Sequence, residues 1–404
     1  MKTAMDYREA RALLLERISP VKTETVPLEE AGGRILASDL WAREDVPSFD
    51  RSAYDGYAIR WEDIQAASDA CPVALQILEE VKAGDVPSQP VTAGTAVKIL
   101  TGAPIPPGAD TVVPYEKTRF DRCQVTLTRP FPEGLNIIRA GEDVQAGAFL
   151  AAGGSVLDPA LLGAMAAQGI EGPNVYARPL VGVISTGNEL AEPGKPVPPG
   201  KTRNTNRYML TAALEQLGCR VRYLGMAEDR VEAIGERIGE GLAACDAVLL
   251  TGGVSVGDYD LTPAAMAQTG VEVLVHRVNM KPGTACAYGF RDGKLVCGLS
   301  GNPAAAMTNF YTIVYPALRK LCGSRETLPE RIPVTLLDGF PKKSPMIRIL
   351  RGKADLSQGT VGMRLSGPQG NVVIHSGIGC QIMAEVPAGS GPLAPGTVLE
   401  GWFI

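Results

Sequence analysis

The chain has 404 residues, of which 45% are hydrophobic, and a formal net charge of -5. That length exceeds one ordinary core, so several domains are expected, and the acidic balance argues against a general nucleic-acid binder. Only two histidines, His276 and His375, and eight scattered cysteines without a CxxC pair argue against a histidine-held metal, a Ser-His-Asp triad, a zinc site or a disulfide framework.

Residues 6–18 (DYREARALLLERI) predict an amphipathic helix ended by Pro20, and residues 28–37 a second short helix despite Gly32 and Gly33. Asp6 and Glu9 are out of place in a signal peptide, and no apolar run is long enough to span a bilayer, so a cytoplasmic protein without membrane contact is expected. Residues 46–140, rich in Pro, Gly, Val and Thr with short alternating runs, predict a small β-rich domain. Residues 147–177 return to helix, with Asp158 as N-cap, Pro159 at the first position and Gly169 at the C-cap. The β-rich segment therefore reads as an insertion into a helical element.

Strands at 180–185, 221–224, 247–250, 271–275 and 295–299 alternate with helices at 208–217, 231–243, 263–268 and 303–321. That alternation predicts a parallel, doubly wound α/β domain. Neither GxGxxG nor GxxxxGK[ST] occurs, so any nucleotide pocket is of another kind. Beyond Pro329 short alternating runs predict a β-barrel or sandwich. The expected domains are 1–45 with 141–177, 46–140, 178–326 and 327–404.

The richest stretch is TGGVSVGDYD, residues 251–260, between a buried strand and a helix opened by Thr262-Pro263 with the Thr262 hydroxyl as cap. Gly252, Gly253 and Gly257 would let N–H groups approach an anion, beside Ser255 and the carboxylates of Asp258 and Asp260. Three more polar loops fall where strands should end: STGNE at 185–189 with Glu189, NTN at 204–206 capping a helix, and SGNP at 300–303. In the last, Gly301, Asn302 and Pro303 would aim free N–H groups at a ligand. A single such loop is better read as an empty turn; four at one sheet edge favour a pocket. Arg277 and Lys281, the latter before Pro-Gly, suit a phosphate contact and read equally well as surface charges at a strand end. Lys342, Lys343, Arg348, Arg351 and Lys353 form a local basic cluster whose bland alternative is a solvated face.

Taken together and in order, SAYDGYA (52–58), LTGAPIPPGAD (100–110), IRAGEDV (138–144), STGNEL (185–190), NTNRYML (204–210), TGGVSVGDYD (251–260), NMKPG (279–283), LSGNP (299–303) and KKSP (342–345) resemble the molybdopterin molybdenumtransferase family, which includes the MoeA proteins and the E domain of gephyrin. The resemblance implies an elongated N-terminal region, a β-rich insertion, an α/β domain of molybdopterin-binding type and a C-terminal β-barrel, assembled as a homodimer. It implies Mg²⁺-dependent insertion of molybdate, a substrate, into adenylylated molybdopterin with release of AMP, and a molybdopterin adenylyltransferase as a partner. By motif match it implies catalytic roles for Asp55, Thr101, Asp143, Glu189, Asp229 and Asp260, with Glu189, Asp229 and Asp260 as the metal carboxylates. It adds Lys281, Arg348 and Ser376 to the substrate-binding set of Gly252, Gly253, Ser255, Gly257, Arg277, Gly301, Asn302 and Pro303. The chain departs from the family pattern at Tyr54, Asn188, Thr284, Ala285 and Ser300.

Overall fold

The structure, a computed structural model, describes residues 2–194, 196–254, 261–357 and 359–404. The expectations that fall on Ser255, Gly257, Asp258 and Asp260 therefore lie outside the described residues. The chain divides into two compact units, one of residues 1–38, 152–158 and 172–404, the other of residues 39–151 and 159–171.

The first unit is built on a seven-stranded sheet. Its elements are β1 (Lys2–Met5), α1 (Tyr7–Arg17), β2 (Leu180–Thr186), α2 (Thr205–Gln216), β3 (Arg220–Ala227), α3 (Val231–Ala244) and β4 (Ala247–Thr251). They continue with α4 (Thr262–Gln268), β5 (Glu272–Val278), β6 (Cys286–Arg291), β7 (Lys294–Leu299), α5 (Pro303–Asn309) and α6 (Tyr315–Leu321). The strand order is β1-β5-β6-β7-β4-β2-β3. Strands β7, β4, β2 and β3 run parallel, as expected, while β6 is antiparallel to both β7 and β5.

Sequence alternation decides which helices cover which face. Ala247 and Leu249 pack with Tyr7, Leu14, Leu214 and Phe310, whereas Val248 and Leu250 pack with Ile234, Ile238 and Met266. Strand β4 is buried on both sides and so carries apolar residues at every position. The helix expected to run unbroken over 303–321 has a π-helical turn at Phe310–Val314 separating α5 from α6.

Five further strands, β8 (Ile332–Leu336), β9 (Ile347–Asp355), β10 (Gly362–Leu365), β11 (Ile382–Val386) and β12 (Thr397–Phe403), close into a barrel. Its order is β9-β10-β8-β12-β11, with β11 pairing back to β9. Val334, Leu336, Leu350, Met363 and Ala384 fill the interior.

Residues 28–37 are not the expected second helix. Only Leu28–Glu30 makes a 3₁₀ turn, Gly33 takes φ 71°, and Ile35 and Leu36 form bridges to Val156 and Val175. Glycine disfavours the helix interior and leaves the chain free to pair. Strand Thr23–Thr25 pairs with Asn174–Tyr176, so the tail of the 147–177 stretch is strand too.

The second unit holds a six-stranded sheet formed from Thr111–Pro114, Gly56–Ile59, Thr95–Ile99, Val73–Val81, Gln124–Leu127 and Arg119–Phe120. Tyr57, Leu75 and Val125 fill one side, and Ala58, Val97 and Val112 the other. Its helix is confined to Pro159–Ala167, and Phe149–Ala151 is a strand against Leu40–Trp41. The Gln168 side chain accepts from the Arg43 and Glu44 N–H groups and donates to the Glu44 carbonyl, tying that helix to the chain beside it. Among the described residues no helix is long and apolar enough to cross a membrane.

Candidate active site

Strands β2, β4 and β7 end side by side, and their loops frame a cleft of about 810 Å³. Thr186, Gly187 and Glu189 come from the first loop, Thr251–Val254 from the second, and Ser300–Pro303 from the third. Asn204–Asn206 and Asp229 complete that edge, and Arg277 and Gly283 to Ala285 form another wall. Ligands enter open α/β sheets at this edge because the loops leave free N–H groups and side chains there.

The second loop reaches its neighbours only because residue 252 is glycine. A Cβ there would lie 2.4 Å from the Thr186 Oγ1 and 2.6 Å from its carbonyl oxygen, and φ is +107°. The Thr186 hydroxyl donates to the Thr251 carbonyl at 3.1 Å, and the Thr262 hydroxyl to the Gly252 carbonyl at 2.9 Å. Thr262 thus does not cap α4 as expected, because its hydroxyl is spent on the loop. The third loop is held from α2, where Asn206 Nδ2 donates to the Gly301 carbonyl at 2.9 Å. Asn302 is the N-cap of α5 with Pro303 in the first turn, as expected, although its side chain makes no capping bond.

Glu189 and Asp229 both line the cleft. The Glu189 carboxylate folds back over Gly187, occupying the space that a Cβ at 187 would need, at 2.5 Å from Oε2. Asp229 Oδ2 accepts the Asn188 N–H at 3.0 Å, and Asn188 Oδ1 accepts the Asp229 N–H at 3.3 Å. Asn188 therefore locks the loops after β2 and β3 together. Among the described residues no three His, Cys, Asp or Glu side chains gather as a metal cluster. Two carboxylates in an open, polar cleft still suit Mg²⁺, which keeps waters and takes substrate phosphates as its remaining ligands. Arg277 faces the cleft from a left-handed backbone, φ 72°, a conformation that persists where its surroundings enforce it.

The other expected ligands sit elsewhere. Lys281 is exposed and does not line the cleft. Arg348 is buried, donates to Ser344 Oγ at 3.1 Å and lies over the Phe340 ring; burial lowers its pKa. Ser376 is buried as well, and the arginine it meets is Arg351, whose Nε donates to its hydroxyl at 3.0 Å. Arg351 is fully buried and also donates to Thr308 Oγ1 and the Gly370 carbonyl. Burial lowers its pKa to about 10. Its backbone pairs with the Gln369 side chain, so Arg351 moulds the loop that brings Asn371, Val372 and Ile374 to the cleft. With Arg348 and Arg351 buried and Lys342, Lys343 and Lys353 exposed, the basic cluster is not one surface patch.

Asp55, Thr101 and Asp143 belong to the second unit. The Asp55 carboxylate accepts both the Thr101 N–H and hydroxyl, each at 2.7 Å, and these bonds, the N–H first, hold its pKa below the usual range. Asp143 is exposed in a shallow hollow lined by residues 141–145 and 148–150. Arg203 and Asn371 line the cleft without having been singled out from the sequence, whereas Thr186 and Asn206 belong to the expected polar loops.

Residues 5–169 match the MoeA N-terminal region (domain I and II), and residues 182–320 match a probable molybdopterin binding domain. The class is therefore a transferase of molybdenum cofactor biosynthesis. The chain is 36% identical over 391 residues to the molybdopterin molybdenumtransferase of Staphylococcus aureus, covering 96% of this chain and 93% of that one. The Staphylococcus epidermidis protein of the same name is 34% identical over 401 residues, covering 99% and 95%. The crystal structure of the molybdopterin biosynthesis moeA protein from Pyrococcus horikoshii OT3 superposes with a TM-score of 0.84 at 31% identity, covering 99% of this chain and 100% of that one. The chain belongs to the molybdopterin molybdenumtransferase (MoeA) family.

Proposed function

We propose that this enzyme inserts molybdate into adenylylated molybdopterin, cleaving the phosphoanhydride and releasing AMP and molybdenum cofactor. The observation that carries the reading is the convergence of three glycine-bearing strand-end loops, two carboxylates and two arginines on one cleft of about 810 Å³. Such a cleft has room for a dinucleotide-sized ligand and a small oxyanion.

The backbone N–H groups at Gly252, Gly253 and the start of α5 would hold the phosphates, with Arg277 supplying positive charge. Mg²⁺, held by Glu189 and Asp229 together with Asp260, would neutralise charge on the phosphoanhydride. The Asn188 backbone N–H holds the Asp229 carboxylate, and Gly187 gives the Glu189 carboxylate its place. The chain's own contribution is thus orientation and charge compensation, which dominate phosphoryl transfer chemistry. Asp55, Thr101, Asp143, Lys281, Arg348 and Ser376 keep their proposed roles in this reading, Ser376 through the loop that Arg351 moulds. A homodimer, a cytoplasmic setting, a molybdopterin adenylyltransferase as partner and four domains, 1–45 with 141–177, 46–140, 178–326 and 327–404, complete it.

The test is an omission series. Purified protein with adenylylated molybdopterin, Mg²⁺ and molybdate should release AMP and yield metal-bound pterin. Leaving out either Mg²⁺ or molybdate should remove the metal-bound product. Equal product without Mg²⁺ would refute the metal's role, and no AMP in the complete mixture would refute the reaction.

A further inference from the structure

Glu192 lies outside the cleft, yet it gathers more bonds than any carboxylate that lines it. Its Oε1 accepts from Asn204 Nδ2 at 3.0 Å and the Tyr223 hydroxyl at 3.3 Å. Its Oε2 accepts from Arg207 Nη1 at 2.9 Å and the Tyr208 hydroxyl at 3.1 Å. The Arg207 guanidinium in turn stacks 3.8 Å above the Tyr223 ring. Burial alone would raise the pKa of Glu192, but the bonds from Asn204 and Tyr208, the Arg207 charge and the Tyr223 bond together lower it.

The consequence runs through the backbone. Leu190–Ala191 pairs with Thr202–Arg203, and the Glu192 carbonyl accepts from Arg203 Nη1 at 2.7 Å. Arg203 is half-buried and lines the cleft, as Asn204 does. No carboxylate among the described residues pairs with Arg203. Among the described residues its guanidinium has one arm fixed to a carbonyl and the remaining N–H donors left over, a fork suited to a phosphate oxygen. A cation held half-buried without a carboxylate is poised for an anionic ligand.

We propose that Arg203 is a phosphate ligand of the cleft and that Glu192 is the positioning residue that aims it. This rests on the reading of the cleft as a site for a phosphate-bearing nucleotide. Asn204 supports it independently: its side chain, expected to cap α2, instead bonds Glu192, Ser185 and Tyr223, so the turn carrying Arg203 is clamped from both flanks.

The test is calorimetric binding of AMP to the full chain and to E192A, E192Q, R203A, R203K and the E192A/R203A double variant, with melting temperatures recorded. R203A should weaken AMP binding roughly ten- to hundredfold, the loss of a charge-assisted hydrogen bond. R203K should recover part of it, since Lys keeps the charge but not the fork. E192A should weaken binding roughly tenfold alone but less than about twofold in the R203A background, because the two act through one contact. E192Q, which keeps one acceptor oxygen, should fall between E192A and the unaltered chain. Unchanged AMP affinity in R203A, or no AMP binding by the unaltered chain, would overturn the ligand role. An equal loss from E192A in both backgrounds would overturn the positioning role. AMP release from adenylylated molybdopterin, measured in parallel, keeps the two readings apart: AMP binding that follows this pattern without turnover would refute the proposed reaction and leave Arg203 in place.

Discussion

Replacing Gly252 with alanine tests whether the second strand-end loop must lie where it does. Two costs combine. At φ +107° a residue with a side chain is strained by about 1–3 kcal/mol. In addition, the Cβ would sit 2.4 Å from Thr186 Oγ1 and 2.6 Å from the Thr186 carbonyl oxygen. The hydroxyl can rotate away at the loss of its bond to Thr251, but the carbonyl belongs to β2 and cannot. The loop must therefore retreat from β2 by roughly 1 Å, a displacement that costs on the order of a hundredfold in a positioned site. Gly218, after the end of α2, supplies the control: its φ is +88°, and a Cβ there meets nothing within 4 Å. G218A should lose about 1 kcal/mol, with kcat/KM within about twofold of the unaltered enzyme. G252A should lose a further 2 kcal/mol or so, roughly 4–8 °C in Tm, and about two orders of magnitude in kcat/KM. Thermal melts and AMP-release kinetics on the two variants decide it. G252A with activity near that of G218A would refute the argument that close approach of this loop to β2 shapes the cleft.

Three further outcomes follow from named contacts. Ser376→Ala removes the hydroxyl that meets the buried Arg351 and should cost about 1.5–3 kcal/mol of stability, read from denaturant melts; an unchanged midpoint would contradict the contact. Thr101→Val removes one of two bonds that depress the Asp55 pKa, so that carboxyl should titrate nearer its ordinary value of 3.8, as followed by carboxyl carbon NMR. Because the folded pKa is depressed, the contribution of Asp55 to stability is present above 3.8 and is lost as pH falls through the folded value; T101V should show a smaller acid loss. Asn188→Ala removes the side-chain oxygen that accepts the Asp229 N–H, loosening the loop that carries Asp229, and should raise the Mg²⁺ concentration needed for half-maximal activity several-fold, while unaltered Mg²⁺ dependence would remove the Asn188 side chain from the site.

The α/β layer was legible because its strands are apolar runs and several of its helices open on Asn, Thr or Pro, residue types that mark a helix start. Ala247 to Leu250 has the length and branching of a buried strand, and Asn302-Pro303 announced a helix start that the structure shows. Strand β6 was missed although its signal was present: Asp292-Gly293, both at positive φ, makes a two-residue hairpin turn into β7. Strand β1 carries no such signal, since four residues ahead of a helix become a strand only by pairing with β5. The helix expected over residues 28–37 does not form beyond the turn at Leu28–Glu30, because Gly32-Gly33 disfavours a helix interior.

At the site, loop motifs pointed to the right sheet edge but not to side-chain partners. Thr262 and Asn204 look like caps in sequence, and their side chains serve the loops beside them instead. The meeting of Ser376 with Arg351 joins residues 25 positions apart, a contact that no local pattern encodes. Arg203 was hidden for the same reason, because its value comes from Glu192, eleven residues earlier in a bland proline-rich loop.

Single-turnover AMP release bears most directly on the claim that the chemistry occurs in this strand-end cleft. Enzyme in excess over adenylylated molybdopterin, with Mg²⁺ and molybdate, should be quenched over time for the unaltered chain, Glu189→Gln and Asp229→Asn. Both substitutions preserve shape and remove a carboxylate charge, so the account predicts normal melting temperatures and AMP release slowed at least a hundredfold. Release at the unaltered rate in both variants would place the reaction elsewhere in the molecule.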